Sequence, residues 1–90
     1  MAPMDPCQKY ELKATALVYR SIRWIRWGDF AQARQILRGL LAEFRGAVPP
    51  AHASIIAAVT ARLNFRHAQS AVVQLQGLLL QLHQMQTKGA

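Results

Sequence analysis

The chain carries a single cysteine, Cys7, so no intrachain disulfide can staple it. It has only four carboxylates, Asp5, Glu11, Asp29 and Glu43, and none follows Glu43. General acid–base chemistry needs a positioned carboxylate, histidine or lysine, and these four acids pair neither with each other nor with a histidine at helical spacing. There is no glycine-rich phosphate loop and no nucleophile elbow. The inventory therefore points away from an enzyme, with no catalytic residues and no cofactor expected. His52, His67 and His83 lie far apart, with no Cys, Asp or Glu at ligand spacing, which argues against a metal site. No apolar run reaches the roughly 18 uncharged residues of a membrane span. The N-terminus has no basic stretch followed by an apolar one, so no secretory signal is expected. With the lone thiol, this leads to the expectation of a cytoplasmic protein. No segment alternates polar and apolar residues between turn signals, so no strand is expected.

What the chain does have is apolar content and positive charge. Ninety residues suit one domain, and 52% hydrophobic residues exclude the composition of a disordered tail. Eleven Lys+Arg give a formal net charge of +7 and a pI near 10.9. Most of the cations are arginines: Arg20, Arg23, Arg26, Arg34, Arg38, Arg45, Arg62 and Arg66. Arginine presents a planar fork suited to phosphate and is less hydrated than an ammonium. A solvated helical face normally gains from acid–base pairs one turn apart, and here the acids are missing. An external polyanion is the natural complement.

The elements follow from punctuation. Residues 1–8, with Pro3 and Pro6, read as an irregular arm, 9–86 as one helical domain and 87–90 as a flexible tail. Lys9 to Trp27 contains no Gly or Pro and forms a first helix. Gly28-Asp29 breaks it, and Asp29 caps a second from Phe30 to Arg45, with Gly46 as its stop. Pro49-Pro50 is a linker, with Pro50 suited to the first turn of a third helix ending near Leu63. Asn64 is a weak breaker before a fourth helix to Gln86, and helices three and four could equally run on as one. The fold class is all-α, with three to four helices in αα-hairpins forming a dimeric bundle.

Lys9, Lys13, Arg20, Arg23 and Trp27 share one stripe of the first helix, with Arg26 beside it, and Arg34 and Arg38 flank the second. These eight are the candidate nucleic-acid contacts. Trp24 and Trp27 interleave with Arg23 and Arg26, a pattern that suits phosphate contact with aromatic stacking and also a membrane surface. Trp24, on the apolar side, is expected in the core. The fourth helix carries Ala71, Leu75, Leu78, Leu82 and Met85 as a heptad-like seam, widened by Val72, Val73, Leu79 and Leu80. Its polar positions are glutamines, which do not repel a second copy. A homodimer through this seam is expected, against the alternative of a monomeric bundle that uses it internally.

Two resemblances add expectations. Trp24, Gly28-Asp29-Phe30, Ala33 and Leu37, with Ser21 at a small position, resemble the turn of a tetratricopeptide repeat, which implies one αα-hairpin and a protein-interaction module. The small, arginine-rich, carboxylate-poor helical composition is similar in type to viral accessory proteins such as the nodavirus silencing suppressors. That resemblance implies a helical homodimer lying along double-stranded RNA. The leading expectation is thus sequence-independent nucleic-acid binding, double-stranded RNA foremost. The alternatives are a helical-hairpin adaptor or chaperone for an acidic or amphipathic partner and, behind it, a membrane-surface binder; no small-molecule substrate is expected.

Overall fold

The computed structural model describes residues 5–88, with side chains through Met85. It is 86% helical, and the described residues contain no strand. The chain is all-α: α1 (Pro6–Trp27), α2 (Phe30–Glu43), α3 (Pro50–Arg62), a 3-10 turn (Phe65–His67) and α4 (Ala68–Lys88).

Local chemistry sets each boundary. The Asp5 carboxylate accepts the Gln8 N–H at 2.8 Å, and the Gln8 side chain accepts the Asp5 N–H at 3.3 Å, a capping box with Pro6 in the first helical position. The expected arm over 1–8 is therefore too long. Pro6 starts α1 rather than breaking it, and Cys7 stands exposed in its first turn. Residues 1–4 of that arm lie outside the described residues. Gly28 ends α1 at φ 88°, a conformation that costs a side-chain-bearing residue energy. Its N–H donates to the Ile25 carbonyl at 3.0 Å, and the Asp29 N–H donates to that of Trp24 at 2.9 Å. Asp29 then accepts the Gln32 N–H at 3.0 Å and caps α2.

Helix α2 stops at Glu43, two residues before the expected Arg45, and Gly46 turns the chain at φ 90°. Pro49 caps α3, with Pro50 in its first turn. Helices α3 and α4 are separate. Leu63 and Asn64 are extended, and the Asn64 side chain accepts the His67 N–H at 3.2 Å, opening the 3-10 turn. At the other end α4 continues through Thr87 and Lys88, where a flexible tail was expected; residues 89–90 lie outside the described residues.

Each α-helix packs against two others: α1 on α2 and α4, α3 on α2 and α4. This closes a four-helix ring about one core. Tyr10, Ala14, Val18 and Ile25 enter it from α1, Ala33, Leu37 and Leu40 from α2, and Ile56 and Val59 from α3. Trp24 is half-buried and packs against the edge of this core.

The seam of α4 is the fourth wall. Ala71 is buried, and Leu75, Leu78 and Leu82 have no exposed surface. These residues were expected at a dimer interface, and the structure corrects that placement. They are buried in the core of their own chain, where α4 packs on α1 and α3, so little of them remains for a second copy. Met85, at the end of the seam, is half-buried. The apolar positions left outside are the ones that widen the seam, Val73 and Leu80, at 59% and 60% exposure.

One polar pair sits inside the bundle. The Tyr10 hydroxyl and His52 Nδ1 lie 2.9 Å apart and tie α1 to α3 across 42 residues of sequence. Phe44 stacks edge-on against Tyr10 at 5.7 Å. Burial first, and then the neighbouring Glu11 carboxylate, push the Tyr10 phenol up to about 12. Burial alone holds the His52 imidazole below its usual range. With His52 neutral, one of its ring nitrogens donates and the other accepts, and the phenol, which can do either, complements Nδ1 in both tautomers.

Candidate nucleic-acid interface

The outer face of α1 gathers the charge. At 100° per residue, Ala16, Tyr19, Arg20, Arg23, Arg26 and Trp27 fall within an arc of about 120°. All six are exposed and line one shallow groove of about 430 Å³, together with Ile22. The helix can present them because its opposite side, from Tyr10 to Ile25, is committed to the core. Little negative charge reaches this face. Asp5 and Asp29 accept backbone N–H groups at helix starts, and Glu43 holds Lys13. Glu11 lies nine residues before Arg20, about 13 Å along the helix axis.

The structure sorts the eight expected contacts into groups. Arg20, Arg23, Arg26 and Trp27 share the groove. Lys9 is exposed near the start of α1, in a separate hollow with Leu12 and Phe44. Lys13 is there too, and its Nζ lies 2.7 Å from the Glu43 carboxylate. Arg38 is exposed on α2 and does not line the α1 groove.

Arg34 departs furthest from its expected place. It is half-buried, and its guanidinium donates to the Leu63 carbonyl, one of the groups left open where α3 ends. The residue thus staples α2 to the α3–α4 junction, and part of its fork is already used.

Two aromatics of this surface escaped the sequence reading. Tyr19 is 61% exposed and stands four residues before Arg23 and eight before Trp27, so helical spacing alone could have placed it. Phe65 is 90% exposed, and no sequence signal puts it near α1. It lies across a second groove, of about 560 Å³, that Arg26, Trp27 and Gly28 share with the start of α4. A third hollow joins Tyr19 to Gln76, Leu79, Leu80 and His83. The three meet at shared residues: Arg26 and Trp27 join the first two, Tyr19 the first and third, and Gln76 the second and third.

Among the described residues, no three His, Cys, Asp or Glu side chains come together as a metal-holding cluster, and no helix is long and apolar enough to cross a membrane. The arrangement is an array of guanidinium groups and aromatic rings on a rigid helix. It can bind anions and planar groups. Searches against protein-family models, curated proteins and solved structures found no match to this chain.

Proposed function

We propose that the chain binds nucleic acid without regard to sequence, with double-stranded RNA as its ligand and Arg20, Arg23 and Arg26 as the phosphate contacts. The observation that carries this reading is the outer face of α1: three exposed arginines gathered on one helical side of a chain that has only four carboxylates. The deep, narrow major groove of A-form RNA excludes side chains. A duplex is therefore met through its backbone and shallow minor groove, by shape and charge. A straight helix with cations along one side suits that surface. Lys9 and Arg38, exposed elsewhere, add long-range attraction, whereas Lys13 and Arg34 are engaged within the fold.

The working form is a homodimer. With the α4 seam internal, the surface left for a second copy is Leu80 with Leu79 beside it. Helix α4 has no charged residue between Ala68 and Gln86. In a chain of net charge +7, that is the side on which two copies meet without repulsion. A viral accessory role, including suppression of RNA silencing, is the biological setting that the composition suggests.

A gel shift comparing an RNA duplex, a single strand and a DNA duplex of matched length tests the reading. Retention of the RNA duplex, competed equally by unrelated duplex sequences, supports it. Liposome pelleting without any RNA shift would move the arginine–tryptophan face to a membrane surface.

A further inference from the structure

The groove between the end of α1 and the start of α4 has a composition that backbone contact with a duplex does not need. Trp27 and Phe65 line it at 76% and 90% exposure, the highest among the large exposed hydrophobics of the described residues. Val72 and Val73 form part of its wall, and Arg26, Gln69 and Gln76 are its polar members. Trp27 meets Trp24 edge-on at 5.8 Å, but phosphate contacts to paired RNA give neither exposed ring a base to meet, because the bases of a duplex are stacked on one another.

We propose that this groove takes an unpaired nucleotide, at a duplex end or in a bulge, with its base stacked on Trp27 or Phe65 and its phosphate held by Arg26. The inference rests on the nucleic-acid reading above and adds the ligand class of this second site. Three observations carry it. Arg26 lines both grooves, so a strand following the arginines of α1 reaches the second groove without leaving positive charge. No carboxylate belongs to the wall itself, and the nearest in sequence, Asp29 between Gly28 and Phe30, is engaged with the Gln32 N–H at the start of α2. Gln69 and Gln76 supply amides that both donate and accept, which suits the exposed edge of any base. Stacking tolerates every base because each has a π-face, so the site adds affinity without adding sequence preference.

The test uses two RNA ligands with the same base pairs, one blunt and one with a short unpaired overhang. Binding is read by fluorescence anisotropy for the full chain, for Phe65→Ala and for Trp27→Ala/Phe65→Ala. Both side chains are largely in water, so the variants should keep the helicity of the wild type, which circular dichroism checks. The wild type is expected to bind the overhang ligand about tenfold or more tightly than the blunt one, the scale of one stacked base. The double variant should lose that preference, Phe65→Ala alone should weaken it while keeping the wild-type affinity for the blunt duplex, and Phe65→Trp should retain the preference. Equal affinity of the wild type for the two ligands, or a preference that survives the double substitution, overturns the inference and leaves the duplex reading standing. Failure of the wild type to bind any RNA overturns both. Capture in this groove of an acidic amphipathic peptide that overhang RNA cannot displace would assign it to a protein partner instead.

Discussion

Leu78 and Leu80 lie two residues apart on one helix with the same side chain, and the fold gives them opposite roles. Leu78 has no exposed surface, whereas Leu80 is 60% exposed. Truncating Leu78 to alanine removes three buried carbons, worth about 0.8 kcal/mol each in transfer alone. The cavity left among rigid neighbours raises the loss to about 3–4 kcal/mol. For a domain of this size that is a fall in Tm of roughly 15 °C. It is also a large share of the roughly 5–15 kcal/mol that holds a domain folded. Leu80→Ala, mostly in water in the single chain, should cost the fold about 1 kcal/mol at most at a dilution where the chain is monomeric. Urea unfolding followed by circular dichroism measures both, and light scattering gives the mass of each variant. The internal seam requires Leu78→Ala to lower stability at any protein concentration. Near-equal losses for the two variants would refute it. So would a Leu78→Ala protein that stays as stable as a wild-type monomer and changes only its oligomeric state.

Other consequences follow from side chains that tie the bundle together. The imidazole of His52 is held below its usual range by burial, so the unfolded chain binds its proton more readily than the folded one. Its contribution to stability is present above about pH 6.5 and is lost as the pH falls through the lower folded value, so urea midpoints should drop between pH 7.5 and 5. Tyr10→Phe leaves His52 Nδ1 buried without its hydrogen-bond partner and should cost about 1–3 kcal/mol at neutral pH by the same unfolding assay. Arg34→Gln removes the guanidinium from the Leu63 carbonyl and should cost about 1–2 kcal/mol, while RNA affinity, read by gel shift, falls by less than it does for Arg23→Ala.

What the sequence disclosed and what it withheld divide along the range of the interactions. Gly28, Asp29 and Pro50 punctuate helices through their own backbones and neighbours, so those boundaries could be read locally. Asp5, Pro6 and Gln8 were equally local, but a proline was read as a breaker where it serves as the first residue of a helix. The seam of α4 was visible as a period, and a period says that a face is buried without saying against what. That is why Ala71, Leu75, Leu78 and Leu82 were expected between chains when they close the core of one. The α1 arginine face was legible because helical spacing alone builds it. Lys13 and Arg34 looked the same by spacing. Their partners, Glu43 and the Leu63 carbonyl, come from 30 and 29 residues away. Phe65 and the Tyr10–His52 pair were hidden for the same reason, since only the folded chain brings them to their places.

The most direct test of the central claim is the salt dependence of RNA-duplex binding for the wild type and for Arg20→Ala, Arg23→Ala and Arg26→Ala. Each phosphate neutralised by the protein releases counterions, so affinity should fall steeply with salt. With three arginines in each protomer of the proposed dimer, six contacts give a slope of log K against log salt of about −5. Each substitution removes two contacts per dimer and should flatten the slope by nearly two units, by a similar amount for unrelated duplex sequences. A flat salt dependence in the wild type, or slopes and affinities unchanged when the arginines of α1 are removed, would contradict the account.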